Sequence, residues 1–129
     1  MRPLFMLDSS ACIQVLRGRA PFDALPACKD TAVSSLVAAE LWTGVEKSDR
    51  PDKAASLQTF LSLFTVVDFG GEDARHYAQI RADLERKGTP IGPLDLLIAA
   101  HARNLGATLI TRNAAEFKRV KGLKVQAWK

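Results

Sequence analysis

The sequence contains no apolar run near the ~18 residues that a membrane-spanning helix requires, which sets membrane-embedded classes aside. Its start, MRPLFMLDSS, meets an acid too soon for a secretory signal, so an untargeted, cytoplasmic chain is expected. Cysteine is scarce. Cys12 and Cys28 lie at no zinc-type spacing and have no histidine close by, and they read as buried or free thiols in a reducing compartment. No Gly-rich phosphate loop occurs, which argues against nucleotide-dependent classes. Repeats, low-complexity tracts and Gly- or Ser-rich linkers are missing as well. What is there is 129 residues, 47% hydrophobic and 25% charged. That is an ordinary globular composition, expected to fold as one domain over 1–129 with a real core.

Charge is unevenly spread. From Arg103 to Lys129 there are seven basic residues and one acid, Glu116, whereas the rest of the chain carries eleven basic and thirteen acidic residues. A basic end on a mildly acidic body suits a polyanion, although a solvated surface has the same composition.

Short β-like runs alternate with longer helical ones. LFML (4–7), TAVS (31–34), TVVDF (65–69) and ATLIT (107–111) read as strands, and LKVQA as a possible fifth. Helices are expected over 9–18 behind a Ser cap, over 35–47, from Pro51 to about Leu63, over 71–88, from Leu94 to Leu105, and briefly in NAAEFKRV. The 71–88 helix is amphipathic, and the one from Leu94 is apolar nearly all round and therefore buried. This alternation predicts an α/β fold with a mainly parallel sheet covered on both faces. Sites in such sheets form at the carboxyl ends of strands, where the strand order reverses.

Three acids stand in apolar surroundings. Asp8 directly follows the first strand, Glu40 is alone in LVAAELW, and Asp95 is alone in GPLDLLIAA. Each has an ordinary explanation: a helix cap for Asp8, a place near a cap for Asp95, a solvent-facing edge for Glu40. Together they project from the end of the sheet where sites form. Carboxylates within ~4–6 Å repel, so one must hold a proton unless a cation joins them. No Lys or Arg lies nearby on the inward faces of Glu40 or Asp95, and a hard divalent ion such as Mg²⁺ is the simplest partner. Thr111 and Asn113 bring hydrogen-bonding groups to the same edge. Glu116 follows Asn113 by three residues, which fits either a capping box or a place in the metal site.

These residues resemble the PIN-domain ribonucleases of the VapC type, toxins of VapBC toxin–antitoxin modules. The resemblance is carried by FMLDSSACI, SSLVAAELWTGVEKS, IRADLERKGTPIGPLDLLIAAHA and LITRNAAEFKRVKGLKV, nearly the whole chain, with Asp8, Glu40 and Asp95 in the family's order and spacing. It implies a PIN-like three-layer α/β/α fold with a five-stranded parallel sheet. It also implies clustered acids binding Mg²⁺ or Mn²⁺ for RNA cleavage, often in tRNA or ribosomal RNA loops, a homodimer, and inhibition by a VapB-like antitoxin. Many PIN domains carry Asp where this chain has Asn113, which makes a second metal ion doubtful.

The resulting expectation is metal-assisted phosphodiester hydrolysis, with Asp8 and Asp95 as direct ligands and Glu40 orienting the attacking water and taking its proton. Arg112, Lys118, Arg119 and Lys121 are candidates for holding substrate phosphates. Asp→Asn variants at the ligands are expected to lose activity and, without metal, to be at least as stable as the parent. Trp42 is a candidate stacking group that fits core packing better. His101 should point away from Asp95, and His76 should lie on the surface. Cys12, Leu16, Phe60, Leu61 and Phe64 read as core. A haloacid-dehalogenase-type phosphatase would need an Asp where Ser10 stands, and a receiver domain would need adjacent acids at Asp8. A non-enzymatic RNA-binding module and a DNA-directed nuclease of the same fold are the remaining alternatives.

Overall fold

The local signals that start and stop each element are visible in the computed structural model, which describes residues 2–128. Strand β1 (Phe5–Leu7) runs into Asp8, whose carboxylate accepts from the Ser10 and Ala11 backbone N–H groups and so caps α1 (Ser9–Leu16). The connection from α1 holds two single turns of 3₁₀ helix, Phe22–Ala24 and Cys28–Asp30, before β2 (Thr31–Ser34). Ser34 caps α2 (Ser35–Ser48), and Pro51 opens α3 (Pro51–Ser62) in the first helical turn, where its missing N–H costs nothing. After β3 (Thr65–Val67), α4 (Gly71–Arg86) starts where the Asp73 carboxylate accepts the Gly70 N–H at 2.8 Å. Helix α5 (Pro93–Leu105) ends on Gly106, left-handed at φ 69°. Strand β4 (Thr108–Thr111), the short α6 (Ala114–Phe117) and β5 (Lys124–Ala127) complete the chain.

All four strand pairings are parallel, in the order β3-β2-β1-β4-β5. The expected mainly parallel sheet is thus wholly parallel, with the fifth strand present and helices on both faces. The chain steps outward from β1 to β2 and β3, then crosses back to place β4 on the other side of β1. The order therefore reverses between β1 and β4. Leu7 is level with Ile110 in that pairing, and the Asp8 N–H continues the ladder to the Ile110 carbonyl at 3.1 Å. One residue further on, Asp8 and Thr111 emerge side by side at the carboxyl edge.

The core gathers Met6, Leu7, Val33, Val37, Leu109, Ile110 and Phe117, with Ala99, Ala100 and Ala102 letting α5 lie close beneath its neighbours. Phe60, Leu61 and Phe64 are buried, with the Phe60 and Phe64 rings 5.1 Å apart. Cys12 is buried, and burial pushes its thiol pKa up, so it stays protonated. The expected strand over 65–69 shortens to 65–67. It is largely exposed, because it ends the sheet and one of its sides faces solvent.

Candidate active site

Asp8 is the anchor of the site. It is only 3% exposed, yet among the described residues no Lys or Arg pairs with it. Its charge is held instead by neutral donors: the Ser10 N–H at 2.9 Å, the Ala11 N–H at 3.3 Å, the Ser10 hydroxyl, and the Thr111 hydroxyl at 2.6 Å. Both hydroxyls are themselves oriented from behind. Ser10 Oγ accepts from the Arg112 N–H at 3.0 Å, and Thr111 Oγ1 accepts from the Asn113 N–H at 2.9 Å. Each hydroxyl must then aim its proton at the carboxylate, because its lone pairs already face a backbone donor. Capping and site-building are therefore one arrangement at Asp8, rather than rival explanations.

Asp95 lies in the first turn of α5, half-buried. Its pKa is pushed up to about 6, first by burial and then by the negative charges of Glu116, Asp8 and Glu40. Glu40 projects from α2 and is exposed; the helix beside it still removes water from one side, which raises its carboxyl, as does Asp8, while the Ser9 hydroxyl works the other way. Four carboxylates from four elements thus share one electrostatic neighbourhood. Among the described residues, none of the four is paired with Lys or Arg.

That donor set suits a hard divalent cation: oxygen only, anionic, and without a competing side-chain cation. Among the described residues, no three His, Cys, Asp or Glu side chains form a closed ligand cluster. Carboxylates that repel one another stand apart, and an open mouth fits an ion that keeps part of its water shell.

Several expectations need correcting. The capping box at Asn113 and Glu116 does not form, since Asn113 makes no side-chain cap. Glu116 reaches instead across to the Gly92 N–H, with Oε1 at 3.4 Å, beside the start of α5. Its charge is thereby spent on Asp95. Glu40 is exposed, in keeping with the solvent-facing edge weighed for it, while Val37, Ala38 and Leu41 on the same helix are buried. His76 is half-buried and accepts from Arg103 Nε at 2.9 Å, so it is a packing residue. The hydrogen bonds at Asp8 set a stability cost against its replacement that the repulsion argument alone leaves out.

Of the expected phosphate-holding residues, Arg112, Lys118, Arg119 and Lys121 are all exposed. Arg112 leaves the end of β4 directly beside Asp8, and Arg119 donates to the Pro90 carbonyl at 3.4 Å. His101 is fully buried, with Nδ1 2.9 Å from Ser34 Oγ and Nε2 3.7 Å from Asp73; burial lowers its pKa and Asp73 pulls it back up. It belongs to packing. Trp42 is half-buried against the core. Sequence reasoning gave Ser10 no role in the site. The signal was present, since a Ser two residues after a capping Asp has its hydroxyl next to the cap.

Residues 5–123 match the PIN domain family. The tRNA(fMet)-specific endonuclease VapC of Salmonella typhimurium is 38% identical over 132 residues, covering 96% of this chain and 97% of its own. Ribonuclease VapC2 of Haemophilus influenzae is 39% identical over 129 residues, with 96% and 97% covered. The crystal structure of DNA-bound VapBC from Salmonella typhimurium superposes with a TM-score of 0.91 at 36% identity, over 100% of both chains. A likeness running from end to end in both sequence and fold means that this chain belongs to the PIN-domain family, among the VapC ribonucleases of VapBC toxin–antitoxin modules.

Proposed function

We propose that this ribonuclease is a divalent-metal-dependent endonuclease that hydrolyses phosphodiester bonds in exposed loops of tRNA or ribosomal RNA. The observation that carries the reading is the anionic mouth at the reversal of strand order, where Asp8, Glu40, Asp95 and Glu116 come together with no Lys or Arg paired to them among the described residues, and where burial first and then its neighbours' charges raise Asp95 to about 6. Mg²⁺ or Mn²⁺ bound there would supply positive charge that acidifies a water molecule and offsets the charge gathering on the phosphate.

The chain's own residues divide the remaining work. Asp8 and Asp95 are the direct ligands. Ser10 and Thr111 fix the Asp8 carboxylate in one orientation, so no reorganisation is needed at the moment of reaction. Glu40, less buried and nearer solvent, orients the attacking water and accepts its proton. Glu116 deepens the negative potential at Asp95, and Asn113 steadies Thr111 through its backbone. Arg112, with Lys118 and Arg119 further along, neutralises substrate phosphates outside the mouth.

The relatives named VapBC support a VapB-like antitoxin as partner; a homodimer as the working assembly and a place in the cytoplasm belong to the same proposal. A groove of about 410 Å³ between α1, α2 and α3 offers the apolar side chains of Ile13, Leu16, Leu41, Val45 and Leu57, with Glu40 on its rim. An amphipathic antitoxin segment seated there would end beside the acids, where a basic side chain could occupy the mouth.

The test is RNA cleavage that requires Mg²⁺ or Mn²⁺, stops with a chelator and returns when metal is restored, run beside DNA of the same sequence. Cleavage in excess chelator overturns the metal reading, RNA retention without cleavage favours the binding module, and preferential cutting of DNA favours the rival nuclease.

A further inference from the structure

We propose that the groove between β5 and the 19–26 loop is a second substrate subsite, holding an unpaired nucleobase of the RNA strand against the Trp128 indole; the inference rests on the nuclease reading above. The groove measures about 660 Å³, within the range of small-ligand pockets. Phe5 and Ile110 form its floor, Arg19 and Pro21 one wall, and Gln126 and Trp128 the other.

The floor and the second wall follow from strand geometry. Ile110 pairs with Gln126, and side chains two apart share a face, so Lys124, Gln126 and Trp128 stand in a row on that side of β5. β5 ends the sheet, and in that row Lys124 and Gln126 are exposed and Trp128 is half-buried. A cation, an amide and an indole in succession are what a single strand asks for: a partner for phosphate, one for a base edge and one for a base face.

Position ties this groove to the chemistry. The Trp128 backbone N–H donates to the Thr111 carbonyl at 2.7 Å, and the Thr111 hydroxyl donates to Asp8 at 2.6 Å. One backbone bond at the carboxyl edge of β4 therefore joins the wall of the groove to the residue that holds Asp8, with exposed Arg112 next to it. Charge chooses the occupant. Among the described residues the lining of this groove holds Arg19 and no carboxylate, whereas in the groove between α1, α2 and α3 the cations Arg17 and Lys53 are offset by Glu40 and Asp52. An acid-lined mouth repels a phosphodiester, so affinity for RNA has to come from neighbouring surface, and this is the neighbouring surface that combines an aromatic face with cations.

The test uses the full chain with Trp42→Phe, leaving Trp128 as the only indole, and a single-stranded RNA of about ten nucleotides, held in chelator. Saturable quenching of Trp128 emission is expected. Trp128→Ala should weaken binding of that RNA about 5- to 150-fold, with Trp128→Phe retaining most of it. In the presence of Mn²⁺, Trp128→Ala should raise KM for the long RNA and shrink its advantage over a dinucleotide, which is too short to fill both places. Unquenched emission with unchanged affinity overturns the proposal. So does an equal loss on long RNA and dinucleotide, which would mark Trp128 as structural. Intact RNA affinity with a changed mass in light scattering would make the groove a contact between copies of the chain. If Trp128 is quenched but the parent protein cleaves nothing with metal, the nuclease reading fails and the subsite stands.

Discussion

Replacing Asp95 by Asn should stabilise the metal-free protein, and only above acid pH. In the folded chain the Asp95 pKa is raised from 3.8 to about 6. Below about pH 4 both folded and unfolded states are protonated there, and the charge contributes nothing. Between about pH 4 and 6 the folded state keeps a proton that the unfolded state has released, so stability falls as pH rises, and levels off above about 6. Taken at face value the two-unit shift is worth about 3 kcal/mol. Asp95 is only half-buried, and solvent screening reduces this to about 1 kcal/mol. For a chain of this size that is roughly 3–6 °C in Tm. The assay is thermal unfolding of parent and Asp95→Asn in chelator at pH 3.5 and 7.5, read as a difference so that His101 cancels. A gain at pH 7.5 that disappears at pH 3.5 is expected, and added Mg²⁺ should raise the Tm of the parent more than that of the variant. No gain at pH 7.5, or the same gain at both pH values, would refute the electrostatic account.

Asp8 should behave in the opposite sense. Asp8→Ala removes the cap of α1 and should cost about 1–2 kcal/mol even without metal, by urea unfolding, while abolishing RNA cleavage; a variant as stable as the parent would mean the cap bonds carry little. Thr111→Val keeps the shape but leaves the Asn113 N–H and one Asp8 oxygen without their partner. It should lose about 1–2 kcal/mol and roughly 10–100-fold in metal affinity or cleavage, and undiminished metal binding by calorimetry would show that Asp8 needs no orienting.

The parts of this fold legible in sequence are those where a local pattern coincides with its tertiary outcome. Period and punctuation mark α4, because acids open it and Lys87 and Gly88 close it. The apolar run around Asp95 marks a buried helix whose one charge must be explained. Asp8 is legible because it follows a strand directly. Less legible were contacts between distant stretches. Nothing near Glu116 announces that it turns towards Gly92 rather than capping its own helix, since that choice is made by α5, 24 residues away. The fate of His76 was hidden for the same reason, being decided by Arg103 on the next helix. The exposure of β3 follows from its place at the end of the strand order, which its own residues do not encode.

Strand β1 sits in the middle of the sheet, but its neighbour on one side, β4, is made about a hundred residues after it. Until that late segment arrives, Asp8 lacks the Thr111 hydroxyl and Asp95 has nowhere to dock. A growing chain therefore cannot hold the complete arrangement around Asp8 until about the last sixth of it is being made.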